Sequence, residues 1–378
     1  MNELEQYLLS KGQEYRNFNP NRAINIYVKL KKYLPKIPKT IQIIGTNGKG
    51  TSGRFLSLAL LQKDYKVLHF TSPHIFSFNE RFYKNGNIIS DEDLLNAHKY
   101  LMQFDFMRLA SYFEYATFLA LYLAIDVDYL VLEAGIGGEY DSTSVVERDL
   151  VLFTLIDFDH QEILGESIES IAKTKLNAMK NTAILGIQKH SIVQDIAKNI
   201  AILKDVKLHI LDSISNNALS YIAKNNMPIF LAQNLSLALK ALEVLNIEFD
   251  ISLLPPLDLM GRYQKIKDNI IIDVGHNKSA AIAIKENLKD KKVTFVYNSY
   301  YQKDIKGILT ILKDNITELE IIEIKNNPRI INKSNLIRIL DELNIAYSDF
   351  KCIDESKDYL VFGSFSVIEK FIRDFYEK

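Results

Sequence analysis

The segment Gly45–Ser52, with the sequence GTNGKGTS, constrains the fold of this chain more than any other feature. It follows the apolar run Ile41–Ile44, which is typical of a buried strand, and precedes Arg54–Lys63, which has apolar positions on one helical face. Glycines let a loop between a strand and a helix turn its N–H groups toward one anion, and the helix N-terminus and Lys49 add positive charge. The pattern therefore predicts a phosphate-binding loop for a nucleoside triphosphate.

The loop departs from the common pattern G-x-x-x-x-G-K-[ST]. Ile43 stands where the first glycine would be, and Gly50 separates Lys49 from Thr51. Thr51 or Ser52 supplies a hydroxyl near a magnesium ion in this interpretation. The alternative is a glycine-rich turn that only caps the helix, and the spacing alone leaves the type of nucleotide site open.

Strand-like and helix-like runs alternate along the rest of the chain. This alternation indicates an α/β fold with mostly parallel sheets covered on both faces. We predict further strands at Val67–Phe70, Tyr129–Leu132, Leu150–Ile156, Ile270–Val274, Val293–Tyr297, Leu319–Ile324 and Tyr359–Gly363, and further helices at Phe113–Ala124 and Ala280–Leu288.

The alternation is interrupted at Leu253–Leu257, where paired prolines block both helix and strand ladder. We take this segment as the linker between two domains. The predicted architecture is an N-terminal P-loop ATPase domain with a doubly wound sheet over residues 1–258, and a smaller C-terminal Rossmann-like α/β domain over residues 259–378.

Charge and cysteine content exclude several classes of protein. The chain has 46 basic and 47 acidic residues, a net charge of −1, so it offers no broad basic surface to nucleic acid or an anionic membrane. The apolar stretch Phe118–Ile125 is far shorter than the roughly 20 residues of a membrane-spanning helix. Cys352 is the single cysteine, which excludes an intrachain disulfide and fits a reducing, cytoplasmic compartment. We expect this thiol to be buried or incidental.

Ser72, Glu133 and His160 each follow a predicted strand. In a doubly wound sheet the carboxyl ends of the strands share one edge with the phosphate loop. Magnesium prefers oxygen ligands and binds beside phosphates. Taken singly, a serine here forms turns and a histidine is an ordinary hydrogen-bonded residue. Their recurrence at one edge predicts a magnesium site.

A series of segments, two of them in the predicted C-terminal domain, resembles the folylpolyglutamate synthase/dihydrofolate synthase family of the Mur ligase superfamily. The resemblance runs in order over nearly the whole chain. Its motifs are Gly45–Thr51 (GTNGKGT), Phe70–His74 (FTSPH) with Phe78–Arg81 (FNER), Tyr112–Tyr115 (YFEY), Leu132–Gly138 (LEAGIGG), Asp159–Gln161 (DHQ), Gly261–Tyr263 (GRY) and Asp273–Asn277 (DVGHN).

The resemblance implies an ATP-dependent acid–amino-acid ligase that uses Mg²⁺, and we expect the chain to be a monomer. Such an enzyme phosphorylates a substrate carboxylate and lets the amine of L-glutamate attack the acyl phosphate. It joins glutamate to dihydropteroate, to the glutamate tail of reduced folates, or to both. A carboxylate is a poor electrophile, so the enzyme mainly positions the reactants and neutralises phosphate charge.

The resemblance also implies roles for individual residues. The set implied to contact ATP is Thr46, Asn47, Gly48, Lys49, Gly50, Thr51, the adenine-side Asn234, the hinge arginine Arg262, and Asp273. The magnesium ligands would be Ser72, Glu133 and His160. Lys175 stands where the family carries a carbamylated lysine, whereas its composition alone favours a solvated helix lysine. The set implied to line the pterin pocket is Ser111, Phe113, Tyr140, Asp141 and Ser142, of which Phe113 has a plain core role as its alternative.

Several positions depart from the family pattern. Glu139 stands in place of an arginine, Ser144 in place of an asparagine, and Met260 in place of a proline, while Leu176–Ala178 replaces Ala-Gly-Ile. These changes bear on substrate preference and leave the predicted ATP and metal residues intact.

Three other classes of protein are alternatives. A peptidoglycan Mur ligase carries a UDP-binding domain before the phosphate loop, for which the 44 residues before Gly45 leave no room. A P-loop kinase needs no second α/β domain with Arg262 and Asp273. A non-catalytic nucleotide-binding module would not need the full set of Lys49, Ser72, Glu133, His160 and Lys175.

Overall fold

The structure, a computed structural model, describes residues 3–12, 19–34 and 36–376. The chain divides into two compact units, Met1–Tyr221 with Leu231–Leu257, and Ile222–Phe230 with Asp258–Lys378. The strands are β1 (Lys39–Ile44), β2 (Val67–Phe70), β3 (Phe82–Lys84), β4 (Asn87–Ile88), β5 (Tyr129–Glu133), β6 (Leu150–Phe153), β7 (Thr182–Leu185), β8 (Lys207–Ile210), β9 (Gln264–Lys267), β10 (Ile270–Asp273), β11 (Val293–Tyr297), β12 (Ile316–Ile321), β13 (Tyr347–Asp349) and β14 (Tyr359–Phe362).

Helices separate most of these strands. The α-helices are α1 (Glu3–Ser10), α2 (Arg22–Leu30), α3 (Lys49–Leu61), α4 (Asp91–Leu101), α5 (Tyr112–Leu123), α6 (Gln161–Leu164), α7 (Ile168–Leu176), α8 (Ser191–Lys204), α9 (Asn216–Lys224), α10 (Leu231–Val244), α11 (Lys278–Leu288), α12 (Ile305–Leu312), α13 (Lys333–Glu342) and α14 (Phe365–Phe371). Short 3-10 helices cover Lys31–Tyr33, Phe78–Arg81, Asp105–Leu109, Ser142–Val145, Ile251–Leu253 and Lys313–Asn315, and a π-helical turn covers Ile372–Tyr376.

The first unit holds an eight-stranded sheet in the order β4-β3-β2-β5-β1-β6-β7-β8. The strands from β2 through β8 in this order pair in parallel, and β3 and β4 add an antiparallel edge. β1 lies at the centre, so the loop that follows it emerges between the ends of β5 and β6. The second unit holds a six-stranded sheet in the order β13-β12-β11-β14-β10-β9, in which β9 is antiparallel. The predicted fold class is confirmed.

Most predicted elements have different ends in the structure. β6 stops at Phe153, where the prediction ran on to Ile156, and beyond that point the side chain of Gln188 bonds part of the backbone. Its Oε1 accepts from the N–H of Ile156 at 2.9 Å, and its Nε2 donates to the carbonyl of Thr154 at 3.0 Å. Likewise, α3 begins at Lys49, before the predicted start at Arg54.

The helix α5 explains the apolar run in the middle of the sequence. Its residues Phe118, Leu119 and Leu121 are fully buried in a core beneath β2 and β5.

Among the residues that the structure describes, no helix is long and apolar enough to cross a membrane. Cys352 is exposed in the connection between β13 and β14, so of the two alternatives expected for this thiol, buried or incidental, the buried one does not hold.

Candidate active site

The phosphate loop joins the central strand β1 to α3. Gly48 has φ +85°, a left-handed conformation that costs other residues energy, and the helix starts directly after it. The loop is fixed from the side of β6, since Thr46 Oγ1 donates to the carbonyl of Asp157 at 2.9 Å and accepts from its N–H at 3.0 Å. The hydroxyl of Thr46 therefore forms hydrogen bonds within the protein. Lys49 Nζ lies 3.3 Å from the carbonyl oxygen of Gly45.

Asn234 lies on α10, which packs against α3. Its Oδ1 accepts from Ser52 Oγ at 3.3 Å, and a Cβ atom on Gly48 would lie 2.1 Å from that oxygen. This contact brings a residue distant in sequence onto the phosphate loop. The predicted adenine contact of Asn234 stays a prediction.

The close fit of Gly48 and Asn234 predicts a specific effect of Gly48→Ala. The variant should lose about 1–2 kcal/mol of stability from the left-handed φ, and should bind Mg–ADP more weakly, because the new methyl group displaces Asn234. Gly86→Ala is the matched control, since Gly86 has φ +88° but no atom within 4 Å of the place that a new methyl group would take. Calorimetric nucleotide titration and thermal melts of both variants check this. Equal nucleotide affinity in the two variants would show that the contact between Gly48 and Asn234 does not affect nucleotide binding.

Glu133 ends β5 beside the phosphate loop and is 4% exposed. The register pairs Leu132 with Phe70 of β2, which places Glu133 next to the residues after β2. Its Oε2 accepts a hydrogen bond from Thr71 Oγ1 and another, of 3.1 Å, from the N–H of Ser72. The structure therefore brings the predicted ligands Glu133 and Ser72 together, and adds Thr71, which the sequence pattern did not single out.

His160 follows β6 at the same edge of the sheet, with φ +51° and a side chain 30% exposed. Its Nδ1 lies 3.5 Å from Glu162 Oε1. Over the described ranges, no group of three or more His, Cys, Asp or Glu residues is arranged to hold a metal ion. The predicted donors, the Glu133 carboxylate and the Ser72 hydroxyl, are oxygen groups of the kind that suits Mg²⁺, which keeps several waters and uses phosphate oxygens as further ligands.

Lys175 is buried in α7, with only 4% of its surface exposed. Its Nζ donates to the carbonyl oxygen of Gly45 at 2.9 Å, so it meets the phosphate loop on the same oxygen as Lys49. Burial, and secondly the charge of Lys49, lower the pKa of Lys175 to about 7, against the opposing effect of Asp159 and Asp141. The solvated-lysine alternative does not hold in this structure, because the amine is enclosed and partly neutral near pH 7.

The residues predicted to line a pterin pocket lie near β5, but most have structural contacts. Ser111 caps α5, and the ring of Phe113 packs 5.8 Å from that of Phe70. Ser142 Oγ shares a 2.6 Å hydrogen bond with Thr117. Tyr140 is 52% exposed. Of the two aromatic rings in the set, only that of Tyr140 is exposed. The role of these five residues toward a ligand stays a prediction.

Asp141 is the most heavily bonded member of that set. Its Oδ2 accepts from the N–H groups of Gly135 at 2.9 Å and Ile136 at 3.1 Å, and its Oδ1 accepts from the N–H and hydroxyl of Thr143. Burial raises the pKa of Asp141, while these hydrogen bonds oppose the rise. The carboxylate thus shapes the glycine-rich segment after Glu133.

Arg262 and Asp273 lie in the second unit. Asp273 Oδ2 accepts from the N–H of Tyr263 at 2.8 Å, and its Oδ1 from the N–H of Gly275 at 2.6 Å. Burial raises the pKa of Asp273 to about 6, against the effect of the Gly275 N–H and the Arg262 charge. The Arg262 guanidinium lies 5.7 Å from the ring centre of Phe365. Their contacts with a nucleotide stay predictions.

The departures from the family pattern have partners of their own. Asn177 Nδ2 donates to Glu139 Oε2 at 3.1 Å, so two of the departing positions contact each other. Ser144 Oγ donates to the carbonyl of Gly138 at 2.6 Å and accepts from Gln42 Nε2 at 2.8 Å. The carbonyl of Met260 accepts from Arg262 Nη1 at 3.5 Å.

Comparison with known proteins shows the family of the chain. No protein-family model matches the chain. The crystal structure of Helicobacter pylori folylpolyglutamate synthetase is 42% identical, with a TM-score of 0.81, and the match covers 98% of this chain and 97% of that one. A Yersinia pestis bifunctional folylpolyglutamate synthase/dihydrofolate synthase, complexed with AMPPNP and Mn ion, is 23% identical with a TM-score of 0.83, covering 99% and 98%, and shares the fold. The dihydrofolate synthase/folylpolyglutamate synthase of Buchnera aphidicola subsp. Acyrthosiphon pisum is 30% identical over 362 residues, 87% of this chain and 88% of that protein. The chain therefore belongs to the dihydrofolate synthase/folylpolyglutamate synthase family.

Proposed function

We propose that the chain is an ATP-dependent ligase that joins L-glutamate to dihydropteroate, to the glutamate tail of reduced folates, or to both. The observation that carries this proposal is the meeting of Glu133, Ser72 and Lys175 around the phosphate loop, in a chain of this family. In the second unit, Asp273 is buried and the nearby charge of Arg262 opposes the rise of its pKa, and the nucleotide contacts predicted for these two residues stay predictions.

ATP supplies a phosphoryl group that makes the substrate carboxylate an acyl phosphate, and Mg²⁺ neutralises phosphate charge. The helix α3 begins at Lys49, so its N-terminus would favour an anion at the loop, and Lys49 adds a full positive charge. Glu133 and Ser72 would hold the metal ion, with His160 at the same sheet edge. Thr71 fixes the Glu133 carboxylate, so this ligand is oriented before the ion arrives.

The chemistry can be written with all atoms assigned. A carboxylate oxygen of the folate-type substrate bonds to the γ-phosphorus as the bond to ADP breaks. The amine of glutamate then bonds to the carbonyl carbon and loses a proton, and inorganic phosphate leaves with the original carboxylate oxygen. These steps require exact placement more than covalent help from the protein, which fits a site made of backbone N–H groups and fixed charges.

The cytoplasm is the proposed compartment, in keeping with the single cysteine.

The test is ADP release with ATP, Mg²⁺ and L-glutamate, with dihydropteroate and tetrahydrofolate offered in turn. Turnover with dihydropteroate, tetrahydrofolate or both is expected, and the pattern assigns the substrate. ADP release that depends on neither acceptor, or no release under conditions that support the Helicobacter pylori protein, would contradict the proposal.

We also propose that Lys175 carries CO₂ as a carbamate, since only a neutral amine adds CO₂ and its pKa of about 7 provides one. An ordinary lysine loses its proton near pH 10.4. With ¹³C-bicarbonate, the wild-type protein should show a carbamate signal that grows from pH 6 to pH 8 as the amine deprotonates, and Lys175→Arg should lack it. A signal of equal strength in Lys175→Arg, or none at pH 8, would refute the carbamate.

A further inference from the structure

The loop after Glu133 is joined to the end of α7 by two hydrogen bonds at Glu139. The N–H of Glu139 donates to the carbonyl of Thr174 at 3.1 Å. Its Oε2 accepts from Asn177 Nδ2 at 3.1 Å. Asn177 is the C-cap residue of α7, and its own carbonyl accepts from Lys204 Nζ. Both side chains of the Glu139–Asn177 pair are half-buried.

The same loop presses directly on the backbone of Lys175. A Cβ atom on Gly138 would lie 2.6 Å from the carbonyl oxygen of Lys175 and 2.9 Å from its Cα. The atoms of Lys175 in this contact belong to the backbone, which cannot rotate away as a flexible side chain can. The distance between the loop at Gly138 and helix α7 is therefore tightly constrained. The Lys175 side chain then extends to the carbonyl oxygen of Gly45. A continuous series of contacts runs from Glu139 to the phosphate loop.

We propose that Glu139 and Asn177 form a positioning pair that holds the Lys175 backbone against Gly138 and so fixes the Lys175 amine at the Gly45 carbonyl. The last turn of a helix lacks further intrahelical bonds for its carbonyls, so its geometry depends on contacts of this kind. Neither residue is a catalytic residue, because both act through Lys175. The kinetic part of this proposal rests on the proposed function, and the spectroscopic part does not.

The direct test follows the Lys175 side chain by NMR in protein labelled at lysine ¹³Cε, with its signal assigned by loss in Lys175→Arg. Glu139→Ala and Asn177→Ala should move the signal toward those of exposed lysines. Glu139→Gln keeps an oxygen that accepts from Asn177 and should restore the wild-type position. Glu147→Ala is the matched control, because Glu147 pairs with Lys180 at 2.6 Å on the surface just beyond the same two segments. It should leave the Lys175 signal in place.

Kinetics provide a second readout. If ligase turnover is present, Glu139→Ala should lower kcat roughly tenfold or more, with the KM for ATP changed by less than about twofold, because the pair acts through the placement of Lys175 at the phosphate loop and not through direct contact with ATP. Glu139→Gln should retain most of the kcat. An unmoved Lys175 signal in both alanine variants, with thermal melts showing folded protein, overturns the positioning pair. Absence of turnover in wild-type protein contradicts the proposed function only, and the NMR comparison still decides the pair.

Discussion

Replacing Glu133 with Gln is expected to lower ATP turnover roughly 10³-fold or more while leaving the protein folded. The substitution keeps the shape of the side chain and one oxygen that accepts from Thr71 and the Ser72 N–H, so the end of β5 should keep its structure. It removes the negative charge that would hold Mg²⁺ beside the phosphates. Steady-state ADP release and a thermal melt measure the two effects separately.

Glu169→Gln is the control for this prediction. Glu169 lies exposed in the first turn of α7, so the same charge is lost without contact to the site. Its activity should match that of the wild-type protein. Retention of substantial ADP release by Glu133→Gln would show that Glu133 is a structural carboxylate and would favour a non-catalytic nucleotide-binding role.

Lys49→Met is expected to lower kcat/KM for ATP roughly 10²- to 10³-fold, because it removes the one full positive charge of the phosphate loop. The Lys49 amine lies 3.2 Å from the carbonyl oxygen of Thr46 and 3.3 Å from that of Gly45, so the side chain is held over the loop. The change should also raise the pKa of Lys175, since the charge of Lys49 lowers it in the wild-type protein. The carbamate signal should therefore appear at a higher pH.

Lys63→Met serves as the comparison, because Lys63 lies exposed just beyond the other end of α3. Unchanged nucleotide turnover is expected for it. Equal loss in the two variants would mean that general helix destabilisation, and not phosphate contact, explains the effect of Lys49→Met.

Local patterns were enough to predict the central part of the fold. The run Ile41–Ile44 lies in β1 because its residues are buried on both faces of a parallel sheet, and the glycine-rich segment after it forms the turn into α3. The strand ends carrying Ser72 and Glu133 were predicted to meet because neighbouring parallel strands bring their carboxyl ends to one edge of the sheet. Such features are encoded by neighbours in sequence.

Contacts between distant segments were not accessible in this way. Two polar pairs are examples, Ser52 with Asn234 and Glu139 with Asn177. Their contacts depend on how the helices pack, and no periodicity in the sequence indicates them. No sequence pattern indicated that the oxygens of Asp141 accept backbone N–H groups of the adjacent loop, and its predicted role toward a ligand stays a prediction. The choice between a buried and an incidental Cys352 was also out of reach, because residue type alone predicts burial poorly in a surface connection.

The central claim is that a substrate carboxylate becomes an acyl phosphate in this site. The most direct measurement uses an acceptor, dihydropteroate or tetrahydrofolate, whose reacting carboxylate is labelled with ¹⁸O, together with ATP, Mg²⁺ and L-glutamate. The account predicts that each amide bond formed releases one phosphate carrying one ¹⁸O atom from that carboxylate. Phosphate released without the label, or amide formed without ADP, would contradict it.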